Sequence, residues 1–220
     1  SLLSDLGQVV EAARADLPRP LVLLGHSMGG LVAGRFSYEA ALYRMDVADD
    51  ILTYVSGSGA AMNRVNANAG RTRHQGVELG LDLDVTAWAR LRQAYQHNDF
   101  RFRDDVQFGN NRLPVIPEHF YRAELRLGSD ALHVAPNLEW TPRGAWVDYA
   151  NSFRAGSYVL FGLSAEAKID ERFTVFADAR NMGARKAAGD LSAVVRYTPA
   201  SAIFYPVERR SVFAGVRAAF

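Results

Sequence analysis

Gly25-His26-Ser27-Met28-Gly29, followed by Gly30, is a G-x-S-x-G pattern. It is the arrangement in which a serine hydroxyl stands at the tip of a sharp strand-to-helix turn. Its glycines allow a tight turn that a Cβ would obstruct. The surrounding elements have the order this motif needs. Ser4 is a candidate cap for a helix over about 5–15, with Leu6, Val9, Val10 and Ala13 on one face. Pro18 and Pro20 stop that helix. Residues 21–24 are a short apolar run, as a strand buried on both faces of a parallel sheet would be. A new apolar helical start follows at Leu31-Val32. A serine nucleophile works only with a histidine base and an acid that orients it. Downstream lie His74, His97, His119 and His133, and none follows a βα unit. The chain is therefore expected not to be an enzyme.

On these residues, 1–36 resembles the nucleophile-elbow segment of the α/β-hydrolase family, in particular its monoglyceride lipase or lysophospholipase-like members, which carry GHSMGG. The resemblance implies that Ser27 is the nucleophile, vestigial here. It implies that the backbone N–H of Met28 supplies half of an oxyanion hole. The family's second oxyanion donor lies upstream, in a region this sequence does not carry. The alternative function is thus a serine esterase or lipase, inactive as truncated.

From Tyr38 onward the hydrophobic period changes from 3.6 to 2. Val77, Leu79, Leu81 and Leu83 alternate with Glu78, Gly80, Asp82 and Asp84. The same pattern recurs around Tyr121–Leu127, Val159–Ile169, Phe173–Ala179 and Val212–Phe220. The segments read as about nine strands, at 38–46, 49–55, 71–85, 87–102, 119–128, 132–149, 157–169, 172–182 and 209–220. Several exceed the five or six residues usual in soluble sheets and match a tilted bilayer crossing.

Connections alternate in length. Short ones fall near Val47-Ala48, Thr86, Ser129-Asp130 and Asp170-Glu171; long ones span 56–70, 103–118, 150–156 and 183–208. A membrane barrel sorts short turns to its periplasmic rim and long loops to its external rim. With Phe220 at the periplasmic rim, every short turn falls on that side. Glu78, Asp82, Glu124, Arg126, Glu166, Lys168, Asp178 and Arg180 are expected to line the lumen. Tyr43, Tyr54, Trp88, Trp140, Trp146, Tyr149 and Tyr158 are expected in the interfacial aromatic girdles.

Composition fits a folded chain of 220 residues, with 49% hydrophobic and 22% charged residues. Lys+Arg 25 against Asp+Glu 24 gives a net charge of +1, without the clustered basic excess of a nucleic-acid binder. No cysteine is present, so disulfides and thiolate metal sites are excluded. The five histidines are scattered, so no metal site and no cofactor is expected. No apolar run approaches the length of a membrane helix. No secretory signal is visible, and the chain is expected to be a fragment that begins within a helix.

Residues 37–220 resemble the C-terminal barrel portion of TonB-dependent outer-membrane receptors. The matching stretches are NANAGRTRHQGVELG at 66–80, LPVIPEH at 113–119, Asn181-Met182-Gly183, and YPVERRSVFAG at 205–215 before the terminal Phe220. Met182 and Gly183 depart from the usual continuation of the third motif. The resemblance implies uptake of a siderophore or another metal chelate or nutrient, residence in the bacterial outer membrane, and contact with its lipid. It implies that Phe220 is the signal read by the outer-membrane assembly machinery. TonB and a plug domain are partners only of the full-length family member. The expected architecture is mainly β: a partial antiparallel transmembrane barrel, open or incomplete, after a short helix–strand–helix fragment. The domains are 1–36, a truncated hydrolase fragment, and 37–220, the barrel portion not transport-competent alone. The chain reads as a chimera joined within about 34–40.

Overall fold

The computed structural model describes residues 25–26, 36–57, 63–201 and 203–219. The helix at 5–15, the strand at 21–24, Ser27, Met28 and Phe220 lie outside the described residues. The elements in order are β1 (Gly25–His26), β2 (Phe36–Ser56), β3 (Asn63–Thr86), β4 (Ala89–Phe102), β5 (His119–Gly128), β6 (Leu132–Thr141), β7 (Tyr158–Lys168), β8 (Phe173–Arg180), β9 (Ala188–Leu191), β10 (Phe204–Pro206) and β11 (Ser211–Ala218). All but two form one antiparallel sheet in the order β1-β2-β3-β4-β5-β6-β7-β8-β11, which does not close on itself. β9 and β10 make a separate hairpin within the connection from β8 to β11. Gly25 and His26, read from sequence as the start of a turn, pair antiparallel with Ala40 and Glu39 at the edge of β2.

The two strands expected at 38–46 and 49–55 are one. β2 runs unbroken for 21 residues against the 24 of β3, with constant register from Phe36↔Leu83 to Ser56↔Asn63. At about 3.4 Å per residue the ribbon is roughly 70–80 Å long, far more than a bilayer crossing needs. The turn expected at Val47-Ala48 is instead a kink. Asp49 takes a left-handed conformation, φ 54°. Before it, Leu42 and Arg44 lie on the same face as Leu79 and Arg73. Beyond it, Asp50 hydrogen-bonds Thr72, which is on the other face, and Leu52 and Tyr54 join Phe102 there. The alternation changes phase within a continuous strand, and that phase change gave the sequence its false break. Residues 63–70, expected in the 56–70 loop, are strand.

The remaining turns sort by rim as expected. β3–β4, β5–β6 and β7–β8 are joined by short turns on one rim, where β11 also ends, with Ala218 opposite Phe173. The connections at 103–118, 142–157 and 181–210 all leave from the other rim. β5, β6 and β7 have 10, 10 and 11 residues, the length of a tilted crossing.

Most of the buried core lies at one end of the sheet. Its large members, Phe102, Leu113, Val147, Tyr149 and Ile203, gather at the long-loop rim. One cluster joins Ala69, Phe102, Leu113, Tyr149 and Ala193; the other joins Val147, Val194 and Ile203. The strand expected over 132–149 ends at Thr141, and residues 142–149 cross into this cap instead.

Candidate functional site

The sheet has two chemically distinct faces. On the outer face Leu83, Leu91 and Leu125 stand in cross-strand file, as do Val134 and Ala165. Leu42 is 71% exposed, Phe161 52% and Val212 71%. An exposed apolar band of this kind is a lipid-facing surface. Trp88 marks its short-turn edge. Tyr95, Tyr121 and Trp140, directly paired across β4, β5 and β6, mark the other. From Trp88 to Tyr95 is about 24 Å along the strand, or roughly 18 Å of height at a 40° tilt, most of the height of such a band.

Only part of the expected girdle is on this face. Trp140 is, and Trp88 is exposed in the turn at the band's edge. Tyr43 is on the inner face, where its hydroxyl donates to Asn98 Oδ1 at 2.6 Å across Gly76. Tyr158 is also inner and donates to Glu139 at 3.0 Å. Tyr54 and Tyr149 stack edge-to-face within the cap, and Trp146 lies under the Arg154 guanidinium at 4.2 Å. Position near a strand end suggests an interfacial aromatic, yet most of these serve the lumen wall or the cap.

The inner face carries the residues expected to line a lumen, and the register places Glu78, Asp82, Glu124, Arg126, Glu166, Lys168, Asp178 and Arg180 on one side of the sheet. Ion pairs link most of them across or along strands. Asp82 accepts from Arg90 at 2.5 Å and from Arg92 at 3.2 Å, and Arg92 reaches Glu124 at 4.0 Å. Arg122 pairs with Glu139 at 2.7 Å, Arg126 with Asp130 at 2.8 Å, Arg180 with Asp178 at 2.9 Å and Arg217 with Glu166 at 3.5 Å. Arg92, Arg122, Glu124, Glu139, Asp178 and Arg180 border a concavity of about 620 Å³. Such a surface presents both signs of charge and suits a polar partner inside the wall.

The loop-rim cap was not foreseen. Its pin is Asp148, wholly buried, whose carboxylate accepts from the backbone N–H groups of Ser152 and Tyr197, each at 2.8 Å, and from the Ser152 hydroxyl. This side chain ties the 142–157 connection to the 181–210 connection, beside the backbone bonds from Tyr149 N to Val194 O at 3.0 Å, Ala150 N to Val195 O at 3.1 Å and Val194 N to Val147 O at 3.2 Å. Asn151 ties the same connection to 103–118, accepting from Arg112 N and donating to Arg112 O, both at 2.8 Å. Glu118 gathers Arg112 at 3.1 Å and Arg143 and Arg154 at 3.7 Å. Burial pushes the Tyr149 phenol up to about 12, and its hydroxyl donates to Thr53 O at 3.1 Å. The sequence signal for these contacts was weak, because Asp148 and Asn151 sit in a stretch whose partners are dozens of residues away.

The four downstream histidines have local partners. His74 Nε2 lies 3.2 Å from Asp50 and 3.1 Å from Thr72 Oγ1, and its ring stacks on Phe100. His119 shares a 2.8 Å bond with the Tyr95 hydroxyl and stacks on His97. His97 Nδ1 meets Glu118 O at 3.1 Å, and His133 Nδ1 meets Arg126 at 3.4 Å. Among the described residues no group of three or more His, Asp or Glu is placed to hold a metal ion.

Residues 26–182 match the family model described as TonB dependent receptor-like, beta-barrel. The chain belongs to this family. TonB-dependent receptor barrels are outer-membrane proteins, and the chain's outer apolar band agrees with that setting. Solved structures with the same fold include the siderophore receptor PiuA from Acinetobacter baumannii, 18% identical, TM-score 0.62, covering 83% of this chain and 26% of that one. The copper transporter OprC is 15% identical, TM-score 0.66, covering 84% and 30%. The ferric yersiniabactin uptake receptor FyuA from Yersinia pestis is 17% identical, TM-score 0.64, covering 86% and 28%. The chain thus spans between a quarter and a third of the length of these receptors. Separately, 33 residues are 54% identical to protein phosphatase methylesterase 1 of Bos taurus, covering 15% of this chain and 9% of that protein. The human enzyme matches to the same extent over 8% of its length.

Proposed function

We propose that this TonB-dependent receptor wall serves the uptake of a ferric siderophore or another metal chelate, as the C-terminal part of a full barrel. It is not transport-competent by itself. The observation that carries the reading is the two-faced sheet: an apolar band outside, a laddered charged surface inside, and all long connections on one rim. That geometry separates lipid from an aqueous interior and raises a folded cap on one side. The named neighbours act on siderophores or copper, which supports a metal chelate as the cargo. A plug and TonB are the partners of the full-length receptor; the mixed-charge inner face, with its concavity of about 620 Å³, is the surface a plug would meet. Phe220 is proposed as the signal to the assembly machinery, directly after a strand that ends at the short-turn rim.

The chain, exported to the periplasm behind a cleavable leader, is expected to fractionate with the outer membrane and to confer no ferric-chelate uptake alone. Recovery as a folded, protease-resistant soluble protein would sink the wall assignment. Saturable quenching of Trp146 fluorescence by one member of a panel of ferric catecholates, ferric hydroxamates and copper chelates would fix the cargo. A flat response to every member would count against the chelate reading.

The 1–36 segment is proposed to be hydrolase-derived and joined to the wall, which the 33-residue match to methylesterases supports. It is proposed to have no esterase activity. His74, with its Asp50 partner, stands opposite Met45, about 17 Å along the ribbon from Ala40, where Gly25 pairs. Turnover of a short-chain ester that disappears in Ser27→Ala would refute this.

A further inference from the structure

The histidines are scattered in sequence, but the β4–β5 register brings two of them together. His97 on β4 stands directly opposite His119 on β5, with ring centroids 4.7 Å apart and the rings 29° from parallel. This is the next pair above Tyr95 and Tyr121 on the outer face, just beyond the apolar band, and both rings are half-buried. Each ring is held through Nδ1. His97 Nδ1 meets Glu118 O at 3.1 Å. A carbonyl oxygen can only accept, so Nδ1 carries the proton and Nε2 keeps its lone pair. His119 Nδ1 lies 2.8 Å from the Tyr95 hydroxyl, whose oxygen can accept in the same way. Among the described residues neither Nε2 has a hydrogen-bond partner, and Glu118 Oε1 stands 4.0 Å from His119 Nε2.

Histidines that bind metal have their second ring nitrogen fixed by an outer partner such as a backbone carbonyl, which orients the ring and sets the tautomer. Both rings here are prepared in that way. Metal–nitrogen bonds of about 2.0–2.1 Å place two ligating nitrogens roughly 3–4 Å apart, within reach of rings at this spacing after a small rotation. Imidazole suits borderline divalent ions, and Cu²⁺ binds such nitrogens most tightly. Glu118 offers a negative charge beside the ion, shared with Arg112 at 3.1 Å. We propose that His97 and His119 form a two-imidazole site for a divalent transition metal, Cu²⁺ above all, on the outer face of the wall. His97 precedes the 103–118 connection and His119 follows it, so the bound ion staples the two ends of that loop. The inference rests on the β4–β5 register and not on the identity of the cargo.

The chain, folded in octyl glucoside micelles without an affinity tag, is titrated with Cu²⁺. Malonate, a nitrogen-free chelator, is present so that single imidazoles do not retain the ion. Binding is followed by electron paramagnetic resonance, and the loop by hydrogen exchange. The wild-type chain is expected to hold one ion with splitting from two nitrogens. At a free Cu²⁺ concentration about a hundred times the dissociation constant, exchange in 98–118 should slow by up to about a hundredfold, because the ion binds only the closed loop. His97→Gln and His119→Gln are each expected to weaken binding about tenfold or more and to remove one nitrogen from the spectrum. His133→Gln, at a histidine far from the pair, is expected to change neither. A single-nitrogen spectrum in the wild-type chain overturns the proposal, as does tight binding that survives both glutamine variants. An equal loss in His133→Gln overturns it too, and so does exchange in 98–118 that Cu²⁺ leaves unchanged. The wild-type spectrum and exchange pattern decide the question even where a glutamine variant fails to fold.

Discussion

Replacing Asp148 by Ala should unpin the cap while leaving the wall intact. The carboxylate is fully buried and receives three donors: Ser152 N, Tyr197 N and the Ser152 hydroxyl. A buried donor left without an acceptor costs about 1–3 kcal/mol. The Ser152 hydroxyl can rotate to another acceptor, so the two backbone N–H groups dominate. The expected loss is about 3–5 kcal/mol for opening the 142–157 and 181–210 connections away from each other. At about 1.4 kcal/mol per factor of ten, amide exchange there should accelerate by about 10²-fold to a few thousandfold. The assay is hydrogen exchange by mass spectrometry on the chain folded in micelles, comparing peptides covering 145–155 and 192–203 with one covering β7. Asp148→Asn keeps the volume but turns one acceptor into a donor aimed at other donors, so it should recover less than half of the loss. Acceleration below tenfold in the cap peptides would refute the pin. Equal acceleration in β7 would also refute it, since Asp148 would then hold the wall and not the loops.

Gly76→Ala should be poorly tolerated: the new Cβ would meet His97 O at 2.2 Å and the Tyr43 hydroxyl at 2.5 Å. A backbone oxygen cannot step aside, so a loss of about 2–4 kcal/mol is expected in urea unfolding from vesicles, and an unchanged midpoint would count against it. Tyr149→Phe should cost about 1 kcal/mol through the lost bond to Thr53 O. Burial raises the folded phenol to about 12, above the ordinary value of about 10. Its stabilisation is therefore full below pH ~10 and is lost as pH rises towards 12; phenolate absorbance appearing with cap opening near pH 10 would contradict the burial argument. At acid pH the signs reverse. The Arg73 hydrogen bond holds the Asp46 carboxyl below its usual range. Burial pushes Asp99 up, but the Arg101 hydrogen bond and the Arg101 and Arg112 charges outweigh it, and the net shift is downward. These carboxylates stabilise the outer ends of β3 and β4 fully above pH ~4, and the contribution fades as pH falls through their depressed values. Exchange protection of 98–113 should therefore hold to about pH 5; a midpoint above that would refute the assignment.

The wall was legible because its physics is local. A period of two in Val77–Asp84 fixes strand and face together, and three short turns fix the rims. Reading failed where the alternation changes phase. The left-handed Asp49 carries the strand through a kink, and sequence cannot tell a phase change within a strand from a turn between two. The girdle failed for a related reason. Tyr43 and Trp140 are both aromatics near strand ends, and only the register shows that Tyr43 crosses Gly76 to Asn98 while Trp140 stands on the outer face opposite Tyr121. The cap was illegible because its bonds span long separations. Asp148 meets Tyr197 across 49 residues, and no spacing rule anticipates that.

The position of the core settles how this wall and its cap divide the work of folding. Across β5–β8 most side chains are only half-buried, and the outer face offers exposed residues such as Phe161 and Val175 to its surroundings. In water that face has no partner, so the sheet gains little hydrophobic stabilisation there; a bilayer supplies the missing apolar contact. The cap is different. Phe102, Val147 and Ile203 are at or below 1% exposure, and Asp148 is satisfied by protein donors alone. The cap therefore draws its stability from contacts that water does not weaken, while the wall draws its own from lipid. The β2–β3 ribbon is long because it must belong to both. Its lower third pairs within the apolar band, and its far end carries Leu52 and Tyr54 into the cap core. Asp49 sits where the ribbon enters the cap, seven residues beyond the Leu42–Val77–His97 level, and there the strand must turn its other face to the core. A strand in strict alternation would present Leu52 to the outer face and lose it from the cap core. The kink thus lets one strand serve a membrane surface below and a water-facing core above.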